Sequence, residues 1–565
     1  MQLSCGLIVF GSVLSAAFAQ NVVQVDPSQV RQTLAPTFHG VNYVGFWDGA
    51  QGSSGSAQAL AQTATKLVRF PGGDPGDWYN FQCPYYGGDA QTPVCPAAAD
   101  AHSWSSTSPI DLWKYAQTFG GTALFQTNAQ GNGPKAPGTG WAANDPRQAG
   151  AYAQWAKDNS VSAIFEIGNE EDIKMTSVHD ANFQWYVDLF KTQAAAIKAV
   201  DSRMQVIGPA GTNEYFWWAL DSLGMFLHQT GNKAGTGQLD GVSLHFYRTG
   251  SSYNAVKDVP QSWEKTGGPW EFIKGSIASN DTRPLPVYIT EWHIGDAVGS
   301  LNASIGNALV TADMIGVFAE SGVASHEFFT SHSAAISSNA YGFLYGLNEA
   351  RPLDSPAPAF YALALWKQMG SQVLQVIQNA DRSSVMSTYA TGKPDGTLQL
   401  MAINKTASAQ DLQLNVSGQD LTGKHVDIYT LSSSNGHDDA FDAVYNGVQN
   451  PAVSQLPAPS AQVISASALT YSVPAYSVVV LNVGGVSGIP PVVAPTPPPT
   501  PPAVPQPPVA PAPPGHDPTG SGPAAVVTVP STANGTVGCQ ATGGIPVVYL
   551  LVAGMGILLR RRGVA

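Results

Sequence analysis

Two glutamates stand in surroundings that suit them to chemistry. Glu170 closes the run Glu166-Ile-Gly-Asn-Glu170, and Glu291 lies in Ile289-Thr-Glu-Trp292. Each follows an apolar, strand-like stretch, so each carboxylate is expected at a strand end. Two carboxylates facing one another across a pocket can divide the cleavage of a glycosidic bond. One attacks the anomeric carbon and the other protonates the leaving oxygen. The charge on the first raises the proton affinity of the second and keeps it an acid. Other strand ends are rich in polar and aromatic groups: His39-Gly-Val-Asn-Tyr43, Arg69-Phe-Pro-Gly-Gly-Asp74 followed by Trp78, Gln126-Thr-Asn128, and His245-Phe-Tyr247.

The elements that must position these residues alternate. Strand-like runs fall at 37–44, 66–70, 122–127, 163–168, 205–208, 242–247, 287–291 and 325–329, with helical patterns between them, such as 181–200 and 309–321. Eight strand–helix units predict an α/β fold, a (β/α)8 barrel over 20–370 with its site at the C-terminal ends of the strands. Glu170 and Glu291 then close strands four and seven, nearly across the opening from each other. An open doubly wound sheet is the alternative, but no Gly-rich nucleotide turn follows the first strand. After Gly370 the helical signals stop and short strands recur with polar turns, which predicts a β-sandwich over 371–485. Residues 20–34, with Val22, Val23 and Val25, could add a strand to it.

The two ends are of another kind. Residues 1–19 carry no charged side chain and end in Ala17-Phe18-Ala19, the pattern of a secretory signal peptide. Of the 29 residues from Pro490 to Pro518, 15 are proline. The region 486–538 is therefore expected to be a disordered, Pro-rich extended linker. Residues 539–565 hold Cys539, an apolar run from Ile545 to Leu559, and Arg560-Arg561-Arg562. The run is at the lower limit of a transmembrane span, and the arginines mark a cytoplasmic end. Export also predicts a local disulfide between Cys83 and Cys95, twelve residues apart in a Gly/Pro-rich stretch.

Composition removes whole classes of function. The 565 residues hold 39 acidic and 26 basic side chains, a net charge of −13, so the basic footprint of a nucleic-acid binder is missing. With 13 Trp, 20 Tyr and 21 Phe the chain is too aromatic to be disordered throughout.

Taken together, Arg69-Phe-Pro-Gly-Gly73, Glu166-Ile-Gly-Asn-Glu170, Ile289-Thr-Glu-Trp292, Arg351-Pro-Leu-Asp354 and Ala359-Phe-Tyr-Ala-Leu-Ala-Leu-Trp366 resemble the clan of retaining (β/α)8 glycoside hydrolases. The phrasing is similar to its α-L-arabinofuranosidase, β-xylosidase and heparanase-like families, over residues 35–485. In that clan an Asn-Glu pair ends strand four and a Glu ends strand seven. The resemblance implies Glu170 as acid/base and Glu291 as nucleophile. It implies Asn169 on the sugar 2-hydroxyl, Arg69 beneath Glu291, and His245 and Tyr247 orienting the nucleophile or the sugar. Asp74 and Asn128 are further candidates for substrate contact, and Trp78 and Trp292 offer faces for stacking on sugar rings. The tail from Cys539 is similar to the Myxo-CTERM type of sorting signal, which implies display at the cell surface. A plain membrane anchor is the other reading, and both place the body outside the cytoplasm.

The remaining acidic and imidazole groups have structural readings. Glu166 shares the strand parity of Glu170 and is expected in a buried ion pair with a strand arginine. Glu171 and Asp172 read as a solvated loop. His326-Glu327 with His332 has zinc-motif composition, but its second His is six residues on rather than four. No metal and no cofactor is expected. The partner is a polysaccharide or oligosaccharide substrate. Endo-glucanase and uronic-acid glycosidase activities remain open within the clan, as does a non-catalytic surface carbohydrate-binding role.

Overall fold

The structure is a computed structural model that describes residues 20–44, 53–73, 76–77, 79–82, 85–86, 107–129, 145–174, 181–212, 222–248, 250, 252–294, 300–333, 341–346 and 351–491. Eight parallel strands close into a barrel in sequence order: β1 (His39–Asn42), β2 (Leu67–Phe70), β3 (Thr122–Thr127), β4 (Ala163–Ile167), β5 (Gln205–Gly211), β6 (Gly241–Tyr247), β7 (Val287–His293) and β8 (Ser325–Phe328). The β8–β1 pairing, His326 opposite His39, seals it. Both faces of these strands are covered, so every residue of β2 and of β7 is buried. That is why they read as apolar runs rather than as an alternation.

Among the described residues, the longer helices flanking the strands are α1 (Ser54–Gln62), α2 (Pro109–Gln117), α3 (Pro146–Asp158), α4 (Ala181–Val200), α5 (Ser222–Thr230), α6 (Pro269–Asn280), α7 (Ile305–Ser321) and α8 (Pro358–Trp366). Their starts follow from local chemistry. The side chains of Ser53, Ser108, Asp145 and Ser304 each accept a backbone N–H from the first turn of α1, α2, α3 and α7. Proline opens α2, α3, α6 and α8, where its missing N–H costs nothing. α7 stops at Gly322, whose φ of 89° is the left-handed cap conformation.

Inside the barrel, Leu67, Leu124, Ile207 and Tyr288, with Ile164 packed against them, form an apolar floor near the N-terminal ends of the strands. Arg69 lies two residues beyond Leu67, which lifts it to the layer above. One strand departs from regular pairing. In β7 the register against β6 runs Ile289 with Leu244 and then Glu291 with His245, so Thr290 is an extra residue. This bulge reverses the side-chain phase of the strand. Tyr288 and Glu291 face the barrel interior, whereas Ile289 and Trp292 join the outer core between strands and helices.

The second sheet is built from β9 (Gln372–Gln378), β10 (Met386–Gly392), β11 (Leu398–Asn404), β12 (Gln410–Val416), β13 (His425–Ser432), β14 (Leu469–Val473) and β15 (Ser477–Val483). Its strands run β13–β15–β11–β10–β9, then the N-terminal strand Asn21–Thr33, then β12 and β14. The N-terminal strand pairs antiparallel with β9 and parallel with β12. This is one continuous hydrogen-bonded path wrapped around a core of its own, to which Val23, Val25, Leu400, Leu414 and Leu481 contribute. The packed region runs past 485. Val486 is buried in that core and the Gln372 amide donates to the Pro490 carbonyl over 2.9 Å, so the first residues assigned to the linker belong to the sandwich.

Strict alternation lets the same strands serve two cores. Leu398, Leu400 and Ala402 of β11 face the sandwich core, while Met401 and Ile403 join the larger core on the side of α7. A polar seam crosses this junction. Tyr389 donates to Asp313 Oδ1 over 2.5 Å, and Lys405 Nζ lies 2.5 Å from Asp313 Oδ2 with both side chains only 1% exposed.

The leader over 1–19, the linker from 492, the segment 539–565, Cys83, Cys95, Asp74 and Trp78 lie outside the described residues. Among the described residues no helix is long and apolar enough to cross a membrane.

The α7 contact generates a stability prediction. A Cβ at Gly316 would sit 2.4 Å from the Tyr389 ring. Gly316→Ala is therefore expected to destabilise by about 1–3 kcal/mol through overpacking, although alanine is the better helix former by about 1 kcal/mol. A denaturant titration that found the variant more stable than wild type would contradict this packing.

Candidate active site

The site is organised around Arg69. It projects from β2 into the barrel and is 0% exposed. Four of its five N–H donors are engaged. Nε donates to Glu166 Oε2 over 2.5 Å, and one terminal nitrogen donates to Glu291 Oε1 over 2.6 Å and to Asn42 Oδ1 over 2.9 Å. The other terminal nitrogen donates to Asn169 Oδ1 over 2.9 Å. One cation therefore fixes side chains from β1, β4, β7 and the turn after β4. Asn42 is held in turn, because its Nδ2 donates to the carbonyls of Thr290 and Glu327 at 2.9 and 3.2 Å. The Thr290 contact grips the bulge that turns Glu291 inward.

Glu170 reaches the pocket through an unusual backbone. Gly168 has φ 76° and Glu170 itself φ 49°, a region that costs a non-glycine residue energy. The surroundings impose it. A Cβ at Gly168 would meet the Tyr186 ring at 2.9 Å, and the Glu170 N–H donates to the Ala210 carbonyl over 3.0 Å. Glu170 Oε1 lies 2.7 Å from His245 Nδ1, and the same nitrogen is 3.7 Å from Glu291 Oε2. The Tyr247 hydroxyl donates to Glu291 Oε2 over 2.7 Å. Oxygens of Glu170 and Glu291 and a nitrogen of His245 all lie within 4.8 Å of one another.

Burial pushes the Glu291 carboxyl above its ordinary value, and the neighbouring Glu170 adds to this, while His245, Arg69 and the Tyr247 hydroxyl oppose it. Deeper in the barrel, burial pushes Glu327 up to about 8, so it holds its proton at neutral pH and does not compete for Arg69. Space for it comes from Gly40, where a Cβ would lie 2.7 Å from Glu327 Cγ. The Glu170, His245 and Glu291 atoms are spaced so that they could hold a divalent cation. Arg69 already supplies positive charge to one oxygen of Glu291, and Tyr247 occupies the other.

The strands bring most of the expected residues together: Arg69, Asn169, Glu170, His245, Tyr247 and Glu291. Arg69 makes its hydrogen bonds to protein groups, Glu291 and Asn169 among them. Asn128 is buried, and its amide donates to the Tyr79 carbonyl over 3.3 Å, anchoring the short hairpin after β2.

Trp292 is a correction. The bulge at Thr290 sends it to the outer face of β7, where it is 1% exposed and packs edge-on against Phe318, His326 and Phe328. It offers no face to a sugar. Glu171 and Asp172 are a second correction. They lie in a short 3-10 turn and are buried, and Asp172 accepts the Thr212 N–H over 3.0 Å, pinning the Glu170 turn to the end of β5. His326 and Glu327 point to opposite faces of β8, and His332 pairs with Asp354 at 2.9 Å.

Asn42 and Gln126 stand in the polar strand ends of the sequence, which gave neither a role. Gln126 accepts the Gly72 N–H over 2.7 Å and approaches Asn169 Oδ1 at 3.4 Å, coupling the glycine turn after β2 to the Asn-Glu pair. Its strand parity with Asn128 was the available signal.

Residues 152–428 match the family described as glycosyl hydrolases family 39. A β-xylosidase from Caldicellulosiruptor saccharolyticus is 30% identical over 149 residues, 25% of this chain and 27% of that protein. A β-xylosidase from Geobacillus stearothermophilus is 25% identical over 224 residues, 37% of this chain and 42% of that protein. The matched stretches thus span less than half of either relative. In fold, the chain is similar to an α-L-arabinofuranosidase from Thermotoga maritima, solved with arabinose. The TM-score is 0.61 at 15% identity, covering 82% of this chain and 100% of that one. The family match and the two β-xylosidases support glycoside hydrolase activity.

The electrostatics give a signed expectation. Chemistry that needs Glu291 ionised is lost as pH falls through its raised pKa. The Tyr247 hydroxyl donates to the carboxylate and so favours the ionised form. Tyr247→Phe should move the acid limb of kcat/KM for an aryl glycoside to higher pH, with a loss on the order of tenfold at the wild-type optimum. A limb that stayed in place or moved down would show that the hydroxyl does not stabilise the carboxylate.

Proposed function

We propose that this chain is a retaining glycoside hydrolase of the β-xylosidase or α-L-arabinofuranosidase kind, acting on polysaccharide or oligosaccharide by double displacement. The observation that carries the proposal is the approach of Glu170 and Glu291 carboxyl oxygens to within 4.8 Å. Retaining enzymes hold their two carboxyl groups ~5–5.5 Å apart, whereas inverting enzymes leave ~6.5–9.5 Å for a water.

In this reading Glu291 Oε2 attacks the anomeric carbon. Arg69 on Oε1 and Tyr247 on Oε2 hold the carboxylate still and favour its charge. Glu170 donates its proton to the leaving oxygen as that bond breaks. It then takes a proton from the water that attacks the glycosyl-enzyme, releasing Glu291. The strained backbone at Glu170 and its contact with His245 Nδ1 keep it aimed at that oxygen. Asn169 presents its amide N–H to the sugar 2-hydroxyl, because its Oδ1 is turned towards Arg69. The two β-xylosidase relatives make a β-xyloside the first substrate to try. In sequence, the uncharged N-terminal run ending in Ala17-Phe18-Ala19, the proline-rich stretch and the apolar run before Arg560-Arg561-Arg562 favour export and attachment at the cell surface.

Activity on aryl β-D-xyloside and α-L-arabinofuranoside, with the anomer of the first-formed sugar followed by NMR, tests the reading. Retention is expected, and inversion would overturn it. Glu291→Gln should lower kcat by about four orders of magnitude or more while the protein stays folded. Glu170→Gln should lose about 10²–10⁴-fold, less on substrates with good leaving groups. Substantial hydrolysis by either variant on a poor leaving group would remove the assigned roles.

A further inference from the structure

A chain of three rings runs along the outer face of the barrel, behind the pocket. The indole Nε1 of Trp292 on β7 lies 3.2 Å from Nδ1 of His326 on β8. His326 Nε2 lies 3.0 Å from Nδ1 of His39 on β1. An indole N–H only donates, so His326 Nδ1 must accept, and its proton sits on Nε2. That proton is given to His39 Nδ1, so the direction of the chain is fixed from end to end.

The surroundings keep the chain neutral. His326 is 0% exposed, and burial pushes His39 down to about 3 and His326 well below its usual range. Among the described residues its ring neighbours are Phe38, His39, Trp292 and Phe318, at 4.9, 5.0, 5.4 and 6.0 Å between ring centres. The chain therefore ties three neighbouring strands together: His39 and His326 are register partners, and Trp292 stands opposite Phe328, two residues further along β8. Its end on β7 is the residue directly after Glu291, beyond the Thr290 bulge.

We propose that His326 is a positioning residue for Glu291, acting through Trp292: by holding the indole on the outer face it keeps the bulged strand in the phase that turns Glu291 inward. Glu291 and Trp292 are adjacent and point to opposite faces, so a swing of one drags the other. The inner face of the bulge is held by Asn42 Nδ2 on the Thr290 carbonyl. The outer face is held by His326. Arg69, Glu170, His245 and Tyr247 face Glu291 itself and shift its carboxyl, and among the described residues no side-chain hydrogen bond or ring contact joins His326 to any of them.

The inference rests on Glu291 being the nucleophile, and the experiment separates the two. Wild-type protein is treated with an activated 2-deoxy-2-fluoro glycoside and the labelled residue is mapped by mass spectrometry. Label on a residue other than Glu291 would refute the nucleophile assignment and the positioning role with it. With Glu291 labelled, His326→Phe and His326→Asn are compared. Phenylalanine keeps the ring packing and loses the acceptor. Asparagine loses the ring but can offer Oδ1 where Nδ1 was. Positioning predicts that His326→Phe labels about tenfold or more slowly, with KM little changed and the acid limb of kcat/KM displaced. It also predicts that His326→Asn regains most of the rate and the wild-type limb. A merely structural role predicts the reverse order, since asparagine leaves the larger void. Equal labelling rates and acid limbs in wild type and His326→Phe, or a better His326→Phe than His326→Asn, would overturn the proposal. Trp292→Phe removes the donor instead and should reproduce the His326→Phe behaviour. Wild-type kinetics in Trp292→Phe would equally contradict it.

Discussion

A guanidinium with no access to water needs counter-charge and acceptors on nearly every N–H, or it would not be buried at all. Arg69 meets that demand with Glu166, Glu291, Asn42 and Asn169. Meeting it draws four barrel elements into one arrangement. The cation offsets the buried charge of Glu166 and Glu291, and they offset its own. The neutral Glu327 below completes the balance by staying out of it. The charged layer of the barrel is thus a closed hydrogen-bonded set resting on an apolar floor. Where that set ends, Glu170 is the more exposed of the two facing glutamates, its side chain 21% exposed against 6% for Glu291.

The geometry also depends on departures from regular backbone. A regular β7 would carry the inward phase of Tyr288 to Thr290 and Trp292. The extra residue at Thr290 exchanges Trp292 for Glu291. At β4 the departure is the positive φ of Gly168 and Glu170, fixed by Tyr186, Ala210 and Asp172. Both irregularities occur where a functional side chain must leave the pattern of its strand. Such strain persists because the surrounding contacts over-determine it.

Much of this was legible in the residues. Eight buried strands have a continuous apolar signature, and strand-end glutamates after Asn169 and Thr290 stand out against it. The parity of Glu166 with Glu170 foretold a buried partner for an arginine. What escaped was whatever depended on phase or on long-range company. The bulge has no local sequence marker, so Trp292 looked like a sugar platform. Glu171 and Asp172 look solvated in a line of sequence, because Thr212 and Ser222, the partners of Asp172, are forty and fifty residues away. Asn42 and Gln126 are ordinary amides until the barrel closes and sets them against Arg69 and Asn169.

The N-terminal strand carries a consequence for the order of assembly. Asn21–Thr33 is made before the barrel but finds its neighbours in Gln372–Gln378 and Gln410–Val416. Its hydrogen-bonding edges have no native partner until some 350 residues more have emerged. Pairings of that sequence separation are formed late and slowly, since the chain loses loop entropy before the contact rewards it. The barrel is therefore spliced into an interrupted sandwich, and its own ends are held by a sheet that is complete only once Ser477–Val483 has been made. A chain cut after the barrel would leave an apolar strand searching for an edge, which is how partly made β-proteins come to associate with one another.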